Sequence, residues 1–433
     1  MRACFAQSVP ARISAGGSYA RAALLSATRA DGVRLQPYRD SLRLDGVRAG
    51  DCIDYRVDLS ATLRGNDTGR RVGSSLLTNS GEWLWTDPSP TREAIELSFE
   101  MPRGMRVSGP WQPIEGAPLP SFRLVAAPIE WENHVAFGRF RTERLAVPGG
   151  ELRVAILDEG GDADVPALGA WLTEAARAVA TLYGRFPLQS TQVVIIPRVG
   201  LGAPVRWGEV ARGGAPAALF VVDSAASRAD LRSDWTAAHE LSHLLLPYVT
   251  RNDAWASEGF ASYYQNVLRA RAGMLTQSQG WERLEAGFSR GRRATRSGTL
   301  REASRGGHGQ TMRVYWAGAA VALRLDVELR RASAGKQSLD SVLAALRECC
   351  LAHQQTWSAR ELFARFDQLS GTDIAGRLYA QYSAAEEFPA VDDLYRDLGI
   401  SFRNGRVTFD ATAPQAALRA AIMLPAPATP VMR

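Results

Sequence analysis

Residues 233–247 read SDWTAAHELSHLLLP. Inside this stretch His239-Glu240-x-x-His243 forms an H-E-x-x-H pattern. Asp234 is placed to cap a helix and Pro247 to halt one, so a helix is predicted over residues 235–246. Residues four apart share a helix face, with Cβ atoms roughly 6 Å apart. Both imidazoles can then ligate one ion at about 2.0–2.1 Å. Glu240, next to His239, turns round the helix, where its carboxylate can reach a water on that ion without ligating it. Histidine is scarce, five in 433 residues, and two of the five fall in this motif. A chance match on a core helix is therefore improbable.

A third ligand is expected on the next apolar stretch. Residues 254–272 read AWASEGFASYYQNVLRARA. Pro247 and the turn after it leave room for an antiparallel helix whose early turns carry Glu258. Trp255, Phe260 and Tyr263 mark that helix start as buried. Two histidines and a glutamate with one open position make a catalytic zinc arrangement. The chemistry read from it is hydrolysis by activated water, with Glu240 as general base and proton carrier.

HELSH followed by WASEGFASYY resembles the gluzincin zinc metallopeptidases, in particular the glycyl aminopeptidase family and more distantly the aminopeptidase N family. A second block, VYWAGAAVALRLDVELRR at residues 314–331, is similar to the Tyr-x-Lys-Gly-Ala helix of both families, and LSGTDIAGRLYAQY further on resembles the glycyl aminopeptidase family. The resemblance spans roughly residues 40–433 and is strongest over 235–331. It implies one zinc per chain held by His239, His243 and Glu258, with Glu240 as base and Tyr315 supporting the oxyanion. Ala317 stands where those families carry lysine. A thermolysin-like catalytic domain and a peptide or protein substrate are implied as well. The closing PDZ domain of the glycyl aminopeptidases has no room after about residue 385.

Exopeptidases of these families hold the substrate's free amine with a glutamate on an edge strand ahead of the metal helix. The matching place here, Arg212 to Asp223, keeps Gly213-Gly214 but has no glutamate. Glu209, a few residues earlier, is the substitute candidate. The expectation is thus an aminopeptidase. The alternatives are an endopeptidase of the same mechanism, or a non-catalytic peptide-binding protein on the same scaffold.

Outward from the motif, the pattern predicts an α+β multidomain chain. Residues 1–147 hold short runs such as CIDYRVDLSATL, EAIELSFEMP and HVAFGRFRTERLAV, punctuated by Gly, Pro, Asn and Asp. They read as an N-terminal β-sandwich. Residues 148–385 read as the catalytic domain, a small mixed sheet followed by a helical body. TQVVIIP and AALFVVD are its strands, and helices centre on 165–184, 235–246, 254–270, 314–332, 338–350, 358–370 and 373–383. Residues 289–307, SRGRRATRSGTLREASRGG, read as a solvated loop, and His308 after it as solvated too. Residues 386–433 form a short extension packed on the helical body, with GRVTFD as a strand.

Formal net charge is +6. Lys336 is the only lysine, and the arginines are spread without interleaved aromatics, which argues against a nucleic-acid partner. Cys4, Cys52, Cys349 and Cys350 match no metal or redox spacing and read as four free thiols, the adjacent pair being poorly placed for a disulfide. No apolar run approaches the roughly 18 residues that span a bilayer. Arg2 is followed by no apolar core of an export signal. The chain as read points to the cytoplasm by default, and to the periplasm or exterior if the start lies elsewhere. Asn133-His134 reads as surface, and neither His134 nor His353 has an evident partner.

Overall fold

The computed structural model describes every residue except 7, 65–68, 87–94, 125–126, 129–130, 159–161, 352–354 and 425–433, together with the side chains of 64, 307 and 308. His353 and the His308 side chain thus lie outside the described residues. The fold is mixed α+β, and the chain divides into two compact units. One comprises Met1–Ala146, Glu151–Gly169 and Gln189–Leu231; the other comprises Val147–Gly150, Ala170–Leu188 and Arg232–Arg433.

The first unit is built of sheets. Six antiparallel strands run in the order Gln112–Pro113, Ser121–Leu124, Ile95–Ser98, Arg2–Phe5, Cys52–Val57 and Leu24–Arg29. Four more form a second antiparallel sheet through Val135–Gly138 and Ser75–Thr78. Residues of both sheets share one apolar core with Trp83, Phe99 and Trp111. Trp83 meets Phe137 edge-on at 5.4 Å, a favoured aromatic geometry. Val135, Ala136 and Phe137 are all buried in sequence. Val135 and Phe137 enter this core, while Ala136 faces a second core with Ala155, Val194 and Leu219. A strand covered on both faces loses the apolar-polar alternation.

The mixed sheet of the same unit runs Arg141–Val147, Gly150–Ile156, Ser190–Arg198, Ala217–Asp223, Val205–Ala211. Its inner strands are parallel, and Val205–Ala211 closes one edge antiparallel to its neighbour. Val193, Val194 and Ile195 are fully buried, as the continuous apolar run of a covered parallel strand requires.

The cysteines differ from the expectation of free thiols. Cys4 and Cys52 are direct cross-strand partners with Cα atoms 4.0 Å apart and are bonded; Cys349 and Cys350 are bonded to each other with Cα atoms 3.7 Å apart. The first pairing depends on strand register, which spacing along the chain does not carry.

The second unit is a helical body. The Glu258 helix (Ala254–Arg271) packs on the Tyr315 helix (Thr311–Ala332). Between them in sequence lies the Arg283 helix, Gln277–Ala294, followed by a short helix Leu300–Arg305. Much of the stretch expected as a loop is therefore helical. The glycines that suggest a loop are close-approach positions. A Cβ at Gly287 would fall 2.1 Å from the Trp316 ring, and one at Gly291 would meet Phe388 at 2.5 Å. Thr276 and Thr299 cap the two helices through reciprocal side-chain bonds to Gln279 and Glu302. The C-terminal segment hooks onto this body. Val407 N donates to Glu282 Oε1 (3.2 Å), Tyr395 Oη to Glu285 Oε2 (2.9 Å) and Arg271 Nε to the Ile422 carbonyl (2.9 Å).

Asp326 is fully buried in the Tyr315 helix. It accepts from Tyr263 Oη at 2.8 Å, Arg330 Nε at 2.9 Å and the Leu339 amide at 2.8 Å. A buried carboxylate so supplied is tolerable, and one stripped of its partners is not.

Candidate active site

The motif helix starts at Thr236 with Trp235 at its N-cap, one residue later than expected, and Asp234 Oδ1 accepts from the Thr236 amide at 2.7 Å. It keeps α geometry over Thr236–Ser242 and then tightens into a 3₁₀ turn at His243–Leu245. That is shorter than the helix predicted over 235–246. The two imidazoles still share a face, with ring centroids 5.0 Å apart.

His239 Nε2 lies 3.1 Å and His243 Nε2 3.5 Å from Glu258 Oε2. One potential ligand atom from each residue lies within 4.8 Å of the others. Both histidines are buried, His239 almost wholly. The outer nitrogens are occupied: His239 Nδ1 faces Gln265 Oε1 at 2.8 Å and His243 Nδ1 faces Ser257 Oγ at 3.0 Å. The Gln265 carbonyl oxygen can accept a proton held on His239 Nδ1, and the Ser257 hydroxyl can do the same for His243, which frees each Nε2 lone pair for the shared point. Two imidazoles and a carboxylate so oriented fit a borderline-soft divalent cation such as zinc.

The electrostatics agree. Burial works against the Glu258 charge, yet both imidazoles beside it hold its carboxyl well below the usual range. Burial likewise opposes protonation of His239, and the Glu258 hydrogen bond and the Glu240 charge outweigh it and raise its pKa. The cluster thus favours positive charge at its centre.

Glu240 is buried and acts electrostatically on both His239 and Tyr315. The Tyr315 ring stacks on His239 at 5.5 Å and 18°. Its hydroxyl is bonded to Glu258, and burial first, then Glu258 and Glu240, push its pKa well up. It remains a protonated donor at any ordinary pH.

Two glycines bring Glu258 and Tyr315 onto one spot. A Cβ on Gly318 would meet the Trp255 carbonyl oxygen at 1.9 Å, and one on Gly259 would meet Gly318 Cα at 2.3 Å. The helices thus cross backbone to backbone, one residue from Glu258 and one turn from Tyr315. Gly318→Ala is expected to cost at least the roughly 1–3 kcal/mol of overpacking, because neither backbone can yield. Gly309→Ala, whose added carbon meets nothing within 4 Å among the described residues, should change stability by no more than about 0.5 kcal/mol. Denaturant midpoints of the two variants check this, and equal midpoints would refute it.

Gln265, Ser257, Gly259 and Gly318 are not evident from the motifs alone. Gln265 follows Glu258 by two helical turns, and that spacing on a ligand helix is the available signal.

The residues expected to read the substrate amine lie in the other compact unit. Glu209 sits on the edge strand itself, Val205–Ala211, rather than ahead of it. Its Oε1 is 2.9 Å from His134 Nε2, so His134 has a partner after all. Burial resists the Glu209 charge, but His134 keeps its pKa lowered. Asn133 is buried and bonded to Ser80, not exposed as expected. Gly213 and Gly214 are buried in the turn after that strand. The Gly213 amide donates to the Glu132 carbonyl at 2.7 Å, so it is engaged within the unit.

Solved structures share this fold. An aminopeptidase N family protein from Idiomarina loihiensis is 16% identical with a TM-score of 0.65, covering 92% of this chain and 75% of that one. A mutant M1 zinc metallopeptidase from Deinococcus radiodurans, bound to a Tyr-Ser-Ala substrate, is 14% identical with a TM-score of 0.54, covering 89% and 88%. A comparison with curated proteins found no match. The fold is that of the M1 metallopeptidases, and the chain resembles the gluzincin aminopeptidases. More narrowly, residues 247–319, which include Glu258 and Tyr315, match the family model of the M61 glycyl aminopeptidases.

Proposed function

We propose that the chain is a zinc-dependent peptidase in which His239, His243 and Glu258 hold one zinc and Glu240 is the general base. The observation that carries this reading is the convergence of both Nε2 atoms on the Glu258 carboxylate, with Glu240 and Tyr315 beside them. Zinc in such a site supplies Lewis acidity, lowering the pKa of water toward about 7 and polarising a carbonyl. Glu240 takes the proton from the attacking water and passes it to the leaving amine. Gln265 and Ser257 fix the two imidazoles in orientation. Tyr315, kept protonated, donates to the oxyanion that develops on the peptide carbonyl.

Removing one oxyanion donor costs about 10²–10³ in kcat. Tyr315→Phe should show that loss with little change in KM, since the bond forms mainly in the transition state. A change confined to KM, measured on a fluorogenic peptide, would make Tyr315 a packing or binding residue.

We read the activity as that of an aminopeptidase, supported by the segment resemblance. Glu209 is the only carboxylate on the edge strand Val205–Ala211, and it is the proposed anchor for the substrate ammonium. Its pairing with His134 favours the second reading, an endopeptidase of the same mechanism. Matched peptides with free and acetylated N-termini decide between them. An aminopeptidase cuts only the free peptide, and Glu209→Ala loses that preference; equal cleavage of both would leave the endopeptidase.

Among the described residues no helix is long and apolar enough to cross a membrane. The two disulfides support an oxidising compartment, periplasmic or extracellular, as the place of action.

A further inference from the structure

The helical body contains a cavity of about 410 Å³ that shares Gln265 and Tyr315 with the metal site. Its opposite wall is the Arg283 helix. Arg283 and Arg290, seven residues apart and so on one helix face, both line it. Among the described residues neither guanidinium makes an ion pair with an acid. Arg290 lies 4.9 Å over the Trp316 ring, which holds its planar fork in place. Arg283 interacts with Asp234 and Arg269, and Arg293 acts on Arg290, while Glu258 and Glu240 act on Tyr315, which also lines the cavity. Asp234 already accepts from the Thr236 amide at the start of the motif helix. Arg283 and Arg290 are the charged side chains that line the cavity, and they make this wall cationic.

The cavity also holds a polar group with no partner among the described residues. Ser262, from the Glu258 helix, lines it while fully buried, and its hydroxyl has no hydrogen-bond partner among the described residues. An unpaired buried hydroxyl carries a desolvation penalty unless a ligand satisfies it. Trp235 and Met312 line the same cavity and are unusually exposed for large apolar side chains, at 40% and 37%. The cavity therefore offers a paired cationic fork, a buried donor and an apolar lining.

We propose that this cavity is a carboxylate-binding subsite, and that the enzyme takes peptides presenting a carboxylate close to the scissile bond. Arg283 and Arg290 bind the carboxylate, and the apolar lining takes the carbons that lead to it. The carboxylate comes from an Asp or Glu side chain or from the free C-terminus of a short peptide. This inference rests on the peptidase reading for its link to catalysis, though not for binding.

The probes are short alanine peptides carrying one Glu at successive positions, each with its Gln counterpart. Each is made with a free and with an amidated C-terminus. Affinity is measured by calorimetry on the Glu240→Gln protein, where no cleavage intervenes. A charge-assisted pair predicts that one acidic peptide binds at least about tenfold more tightly than its uncharged counterpart. A Glu-against-Gln difference identifies the side chain as the source, and an acid-against-amide difference identifies the C-terminus. Adding Arg283→Gln and Arg290→Gln should erase the difference and leave zinc content unchanged. With Glu240 intact, the double arginine variant should lose the excess rate on the acidic peptide over its uncharged counterpart. Absence of any carboxylate preference, or a preference that survives both arginine substitutions, overturns the proposal. If the native protein cleaves nothing but the arginine-dependent preference is present, the subsite stands and the peptidase reading falls. If it cleaves peptides without the preference, the peptidase reading stands and the subsite falls.

Discussion

Purified protein is expected to carry about one zinc per chain, and Glu258→Gln is expected to strip most of it. The proposed donors are two imidazoles and one carboxylate, and that carboxylate lies within 3.5 Å of both rings. Replacing it by an amide keeps the shape and the helix but leaves two neutral nitrogens, far too few for tight binding. A graded companion is Gln265→Leu. It removes the partner of His239 Nδ1, and loss of such an orienting bond costs about 10–100-fold in metal affinity. Elemental analysis and competition with a chelating dye measure both. Circular dichroism separates metal loss from unfolding, and the native protein should melt higher with zinc than without it. Glu258→Gln protein with native zinc content and affinity would show that the cluster is not the metal site.

The gathering of His239, His243 and Glu258 is legible in the sequence because helix geometry is short-ranged. Four residues fix a common face, and the turn enforced by Pro247 fixes where the next helix begins. Tyr315 lies some seventy residues further on, and only the resemblance singles it out. Its position depends on Gly259 and Gly318 meeting backbone to backbone, a contact between helices that no single helix displays. The same limit explains the Arg283 helix. Gly287 and Gly291, beside Ser and Arg, carry the composition of a loop, yet each is a glycine because Trp316 or Phe388 occupies the space a Cβ would need. Helix propensity lost to glycine, about 1 kcal/mol each, is offset by packing that the local sequence does not reveal.

Other departures from expectation have the same origin. Cys4 and Cys52 are strangers in sequence and partners in register. His134 finds Glu209 across the sheet unit, so a histidine without neighbours in the chain is not one without neighbours in space. The motif helix ends earlier than predicted because a 3₁₀ turn and an α turn place similar demands on LSHLLL. The strand Val135–Gly138 shows the converse. Its apolar run is legible as a strand, although burial on two faces hides the alternation that usually marks one.

The sharpest separation of binding from chemistry is expected at Glu240. Glu240→Gln should retain zinc and the native fold while peptide hydrolysis falls by at least about 10²-fold, the usual scale for losing a general base. The glutamine has the same length and can occupy the same buried position, so packing and the neighbouring His239 ring are preserved. What it removes is a carboxylate able to accept the proton of the attacking water and return it to the leaving amine. It also removes the negative charge that acts on His239 and Tyr315. Removing a negative charge next to the cluster is expected to weaken zinc slightly and not to abolish it, since the cluster able to hold a metal comprises His239, His243 and Glu258 without Glu240. The defect should appear mainly in kcat, with KM close to native, because ground-state peptide binding does not use this proton transfer. Zinc content, melting temperature and steady-state kinetics on one fluorogenic peptide measure the three quantities together. Native turnover in zinc-loaded Glu240→Gln protein would place the base elsewhere. A non-catalytic peptide-binding protein would instead show no turnover in either form, with peptide affinity unchanged by the substitution.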